Sequence, residues 1–301
     1  MRAVIATAIF LFALLGPTLA QEPAADVDFL IDRSEIADNV FSALARIRSS
    51  NLQDARDRGM IETGLTQKFA DGVYCPEVDD YWAMDYSKYR TVKGVDEALH
   101  GGIDIVQPRG TPIRAAAAGT VVGKFEFTES PQGLQIWLRH TPEQTGLGFW
   151  TYTQYTHLME LPDLVLGQHV DLGEVIGRTG NSGAGEGGNR RDAVHFAVIY
   201  SDSPKAFRGD KLLIPAEGWW MDPNALYLRS GPYDSPSLRA LPAERKKISI
   251  PYMLADGTKV PADTKVIWPY ACSTTPIDLG NPHTGDEGLT GRRGGGLGRR
   301  R

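Results

Sequence analysis

The 301-residue sequence predicts a mainly β protein, an antiparallel sheet or sandwich, with a helical N-terminal extension and a C-terminal hairpin extension. Three observations carry this. The 19 prolines and 33 glycines call for many turns, which suits a β-rich body better than a helical bundle. From about His100 onward, short apolar and β-branched runs are each bounded by glycine or proline, the texture of strands joined by turns. Strands and helices do not alternate, so a parallel α/β sheet is disfavoured.

Taken in order, Arg2 opens the chain and Ala3 to Gly16 is apolar or small, with Pro17 and then Thr18-Leu19-Ala20 at cleavage-like positions. Residues 1–20 are therefore expected to be a secretory signal peptide, cut before Gln21 or a few residues later. The run is short for a bilayer span and nothing later competes with it, so no membrane span is expected and the location is periplasmic or extracellular. From Asp32 to Ala70 the pattern is helical: Ile36, Val40, Leu44 and Ile47 recur at helical spacing, and Asp32 or Ser34 can cap the start. Gly59 and Gly64 break the second half, so two helices are expected.

Strands are expected within Pro112 to Phe127, Leu134 to Arg139, Phe149 to Tyr155, Glu174 to Arg178 and Val194 to Tyr200. Lys247 to Leu254 and Lys259 to Tyr270 flank an Ala255-Asp256-Gly257 turn as a hairpin. The expected division is 21–98 helical extension, 99–230 main domain, 231–280 β extension and 281–301 a disordered Gly/Arg-rich tail.

A formal net charge of −5 gives no support for nucleic-acid binding, which needs clustered Lys and Arg. The two cysteines, Cys75 and Cys272, permit one disulfide in an oxidising compartment, with two buried thiols as the alternative. Neither has a CxxC partner, which argues against a metal role for them.

Chemistry rests with the histidines. His100-Gly101-Gly102-Ile103-Asp104 can fold an imidazole and a carboxylate onto one metal ion, the glycines allowing the tight turn. His195 sits in the strand-like Ala193 to Tyr200, as a hydrogen-bonded core residue or a ligand facing a cavity. Strand alternation puts residues 193, 195 and 197 on one face. His157, in Tyr155-Thr156-His157-Leu158, suits a general acid or base, or a donor to an oxyanion. His140 reads as structural, His169 as exposed in a turn, and His283 as part of the polar tail.

Together these segments resemble LytM/lysostaphin-type zinc endopeptidases, which act on peptidoglycan. That family's H-x-x-x-D element matches His100 and Asp104, the second histidine of its H-x-H element matches His195, and its Tyr-x-His-Leu element matches Tyr155 to Leu158. Scaffold phrases agree in order: Gly110 to Ala115, Gly119 to Val122, Gly167 to Val170 and Gly177 to Gly183. The resemblance covers about Leu99 to Leu228. It implies a LytM-like fold (the duplicated hybrid motif), zinc (Zn2+) held by His100, Asp104 and His195, and His157 as one of two catalytic histidines. It also implies a peptidoglycan peptide as substrate.

One departure matters. Ala193 stands where the family has its other catalytic histidine. Ala184 to Asp192 is also longer and richer in glycine than the family's connection, and is expected to be a mobile loop. The alternative is that Glu186, Arg190, Arg191 or Asp192 supplies a substitute polar group. The expected function is a zinc metalloendopeptidase weakened by the lost histidine. The rival is a degenerate zinc-binding module that binds cell wall or activates another wall hydrolase.

Overall fold

The computed structural model describes residues 28–45, 49–78, 85–92, 96–127, 132–183 and 192–276. The expected signal peptide, Ile47, residues 184–191, the tail and His283 lie outside them.

The chain runs α1 (Asp38–Leu44), α2 (Leu52–Asp57), β1 (Thr66–Lys68), β2 (Tyr89–Val92), β3 (Asp96–Leu99), β4 (Ile103–Val106), β5 (Pro112–Arg114), β6 (Gly119–Phe127) and β7 (Gly133–His140). It continues through α3 (Pro142–Thr145), β8 (Trp150–Thr156), β9 (His169–Val170), β10 (Val175–Arg178), β11 (Ala193–Ser201), β12 (Ala206–Arg208), β13 (Leu213–Pro215) and β14 (Trp219–Met221). It ends in α4 (Ser235–Arg239), β15 (Lys247–Ser249), β16 (Tyr252–Leu254), β17 (Lys259–Val260) and β18 (Ala271–Cys272). The body is mainly β, as the sequence predicts.

The central sheet has the order β14-β11-β8-β7-β6-β9, with β4 also paired to β11, and every pairing in it is antiparallel. β11 is its spine. Val194, Phe196 and Val198 alternate onto one face and Ala193, Ala197 and Ile199 onto the other, and all six are buried. A strand covered on both faces reads as a nearly continuous apolar run, so a single histidine in it has few places to point. Tyr155 anchors the neighbouring strand: fully buried, its hydroxyl accepts the Ala116 N–H at 2.9 Å, and burial pushes its pKa up to about 12.

The expected helical stretch is shorter than its periodicity suggests. Asp32 caps a 3₁₀ turn over Arg33–Glu35 in a capping box with Glu35, and α1 and α2 follow. Past α2 the chain is extended. Gly59 has φ +96° and a Cβ there would lie 2.6 Å from the Trp220 carbonyl oxygen; Gly64 has φ +77°. Both are left-handed positions that stop a helix, and Thr66–Lys68 then pairs as a parallel strand with Lys247–Ser249.

This extension shares the core. Ile36, Val40 and Leu44 belong to the same buried cluster as Phe196 and Trp220. Trp220 Nε1 donates to the Ala43 carbonyl at 2.9 Å, Thr63 hydrogen-bonds Asp222, and Gln67 Nε2 donates to Asn224 Oδ1 at 2.6 Å. The C-terminal hairpin is present but narrower than expected. Only Tyr252–Leu254 and Lys259–Val260 pair antiparallel, because β15 has left for β1 and β18 joins β16 in parallel. Cys75 and Cys272 form a disulfide, with Cα atoms 4.4 Å apart, tying the two extensions together.

Candidate metal centre

His100, Asp104 and His195 meet because β4 and β11 pair with His195 directly opposite Asp104. The glycines of the first segment are what let β4 approach. A Cβ on Gly102 would collide with the Phe196 carbonyl oxygen, and one on Gly101 would press Trp220 at 3.2 Å. His100, at the end of the turn, is fully buried, while the His195 side chain keeps 14% exposure.

Three atoms converge. His195 Nδ1 lies 2.9 Å from Asp104 Oδ1 and 2.9 Å from His100 Nε2, and His100 Nε2 lies 3.1 Å from Asp104 Oδ1. In a zinc tetrahedron with bonds of about 2.0–2.1 Å the ligand atoms sit roughly 3.3 Å apart, so the set matches to a few tenths of an ångström. The donor chemistry fits as well. His100 Nδ1 is 3.0 Å from the Asp85 carbonyl oxygen, which can only accept, so that nitrogen carries the proton. A neutral ring then aims a bare Nε2 lone pair at a carboxylate oxygen, and the two repel unless a cation or an extra proton lies between them. Burial alone would raise the Asp104 pKa. With the extra proton in place, the charge and hydrogen bond of His100, joined by His195, outweigh burial and hold the carboxyl well below the usual range. The group is therefore a carboxylate, ready to meet a cation.

His157 follows β8 with φ +68°, a left-handed conformation uncommon outside glycine. Strict alternation from Thr156 would turn it away from His195. The left-handed step instead leaves the two rings 6.0 Å apart between centroids. Its Nδ1 lies 3.0 Å from the Ser182 carbonyl oxygen, to which it donates. Backbone strain of this kind costs about 1–3 kcal/mol and gathers at functional sites.

Ala193 is buried at 3% exposure, opposite Val106 on β4 and bridged to Gly180 on its other side. Of Ala184 to Asp192, only Asp192 is among the described residues; its carboxylate lies 3.8 Å from the Arg109 guanidinium. His140 is apart from this site. Fully buried, it donates from Nδ1 to the Ala118 carbonyl at 2.7 Å and accepts from Thr153 Oγ1 at 2.8 Å. Burial lowers its pKa to about 4. His169 is exposed, 3.5 Å from Asp171.

Two contributors had no signal in the sequence reading. Asp85 and Ser182 act on the histidines through backbone carbonyls, which any residue type supplies. Only Ser182 lay within a scaffold phrase.

Residues 98–206 match peptidase family M23, a span that includes His100, Asp104, His157, Ala193 and His195. No curated protein matches the chain. Among solved structures, the catalytic domain of the antimicrobial peptidase lysostaphin from Staphylococcus simulans is 24% identical, with 42% of this chain and 91% of that one covered and a TM-score of 0.31. LytU is 23% identical over 42% of this chain and 81% of its own, with a TM-score of 0.32. A zinc-containing peptidase from Vibrio cholerae is 20% identical over 52% of this chain and 40% of its own, with a TM-score of 0.31.

Proposed function

We propose, on the premise that residues 98–206 are a peptidase family M23 domain of the LytM/lysostaphin type, that this protein is a zinc metalloendopeptidase that hydrolyses peptide bonds in peptidoglycan. The observation that carries the reading is the meeting of His100 Nε2, Asp104 Oδ1 and His195 Nδ1 within 3.1 Å of one another. Zinc bound there supplies Lewis acidity toward a scissile carbonyl and a lowered pKa for water.

The chain's own residues have distinct tasks. Asp104 is a ligand and not a base, since its lone pairs are directed at His100 and His195. His157 is the proton carrier: with Nδ1–H given to the Ser182 carbonyl, exchange with substrate or water falls to Nε2. His100 is oriented by the Asp85 carbonyl, which fixes its tautomer. With Ala193 in place of a second imidazole, one proton-transfer or oxyanion group is missing. Such a loss costs about 10²–10³ in rate, so the wild type is a slow enzyme.

Action outside the cytoplasm is supported by the apolar Ala3 to Gly16 segment with its small-residue exit, and by the Cys75–Cys272 disulfide, which persists in oxidising compartments. No helix among the described residues is long and apolar enough to cross a membrane.

Ala193 itself favours a second reading: a zinc-binding but non-catalytic module that binds cell wall or activates another wall hydrolase. Zymography on purified peptidoglycan separates the two. Clearing that disappears with chelator and returns with zinc supports the peptidase. A folded, zinc-loaded protein that binds the wall without clearing it supports the module.

A further inference from the structure

Asp104 on β4, His195 on β11, Thr156 on β8 and Gln135 on β7 form one row across the sheet, each directly opposite the next. Residues opposite one another in an antiparallel pair project to the same face. Thr156 is 1% exposed, and among the described residues its buried Oγ1 has no hydrogen-bond partner. A buried hydroxyl left unsatisfied is a standing cost to the fold and points to a state in which it is satisfied.

Of its two neighbours in that row, one is already engaged. Gln135 Oε1 accepts from Gln154 Nε2 at 2.6 Å and from Trp137 Nε1 at 3.2 Å, and its amide nitrogen faces Gln132 Oε1 at 3.5 Å. On the other flank stands His195. Its Nδ1 edge is turned to β4, and β4 and β8 lie on opposite sides of β11. In an imidazole the Cδ2–Nε2 bond lies across the ring from Nδ1, so that edge is turned away from β4, on the β8 side of the ring.

We propose that Thr156 is a positioning residue for the ligand His195, its Oγ1 accepting the Nε2–H proton directly or through one water. A neutral imidazole carries one proton. Without metal, Nδ1 can keep it and donate to Asp104, and a bare Nε2 then has no proton for Thr156 to accept. Once Nδ1 serves as a ligand the proton resides on Nε2, and the orphan hydroxyl becomes its acceptor. Metal loading would thus fix Thr156 as the acceptor, through the tautomer of one ring. The inference rests on the zinc reading above.

The test compares Thr156→Val, nearly isosteric and without a hydroxyl, with Thr156→Ser, in the full mature chain. Zinc affinity is measured by competition with a chromogenic chelator, and melting temperature is measured on metal-free protein. Thr156→Val is expected to weaken zinc binding about tenfold, while Thr156→Ser stays within about threefold of wild type. Metal-free Thr156→Val should melt at the wild-type temperature or about 2 °C higher, because it has lost an unsatisfied group. A hydroxyl of purely structural value would do the reverse, lowering the metal-free melting temperature and leaving affinity unchanged, and that result overturns the proposal. If Thr156→Val does not fold, Thr156→Ala takes its place, with the same weakening and the same rescue by Ser expected. A wild type that binds no zinc overturns the zinc reading itself, whereas equal binding by wild type and Thr156→Val overturns only the role of Thr156.

Discussion

His195 and Asp104 stand opposite each other on β11 and β4, with Nδ1 2.9 Å from Oδ1. Their sequence positions are 91 residues apart, so it is strand register, and not local sequence, that brings them together. A shift of one residue in that register would turn His195 to the other face, into the cluster that holds Phe196.

The first prediction concerns this pair. Mature wild-type protein should hold about one zinc per chain, and His195→Ala or Asp104→Ala should remove it. Asp104→Asn is the sharper variant, since it keeps the shape and loses the charge that neutralises the cation. Metal analysis by plasma emission after mild purification reads the outcome. A wild type that neither contains zinc nor takes it up would contradict the assignment.

Gly102 gives a second prediction. A methyl group there meets the Phe196 carbonyl oxygen and approaches His195 Cε1 at 3.0 Å. Gly102→Ala should cost about 2–4 kcal/mol in stability, as overpacking against backbone does, and should weaken zinc binding by forcing β4 away from β11. Urea denaturation with and without zinc measures both effects. Wild-type stability in this variant would mean the approach is looser than described.

Acid sensitivity should trace in part to His140. Unfolded, its imidazole takes a proton below about pH 6.5, whereas in the folded core burial holds its pKa near 4. Between those values the unfolded state binds more protons, so the contribution is complete above pH 6.5 and is lost as the pH falls toward 4. The loss amounts to about 3 kcal/mol. Asp222, whose burial raises its carboxyl to about 6, works in the opposite sense over an overlapping range, so the comparison must be with a variant. His140→Gln should show a flatter decline in unfolding free energy between pH 6.5 and 4; an unchanged slope would argue against a neutral buried His140.

The disulfide supplies a fourth. Cys75 and Cys272 are separated by 197 residues, and closing a loop of that length restricts the unfolded chain by about 5 kcal/mol on the entropy model. Cys75→Ser with Cys272→Ser should lose a few kcal/mol and loosen the extensions before the central sheet. Hydrogen exchange resolves that order. Uniform loss of protection across the sheet would contradict it.

Much of this architecture was legible in the sequence, for physical reasons that differ by residue. The strands around Leu134 to Arg139 and Val194 to Tyr200 are marked by β-branched and aromatic runs cut by glycine, and β7 and β11 lie there within a residue or two. His100 and Asp104 stood in a short motif with glycines where backbone must approach closely, and His195 in an apolar, strand-like run. What escaped depended on long-range contacts. The helical period from Asp32 to Ala70 contains Gly59, whose left-handed turn under Trp220 ends the helices early. The partner of β15 is β1, 181 residues earlier (Thr66 with Lys247), and no local pattern announces it. Thr156 lies between a tyrosine and a histidine in the sequence, and only strand register sets it opposite His195.

The central claim, that a metallopeptidase site is present and lacks one imidazole, is tested most directly at Ala193. Its methyl shares the face of His195, and its bridge partner Gly180 carries no side chain. Release of free amino groups from purified peptidoglycan should be measured for zinc-loaded wild type and Ala193→His together, with and without chelator. The account predicts slow release by wild type, release on the order of 10²-fold faster by Ala193→His, and none from either with chelator. A folded, zinc-loaded Ala193→His that is no faster than wild type would contradict it.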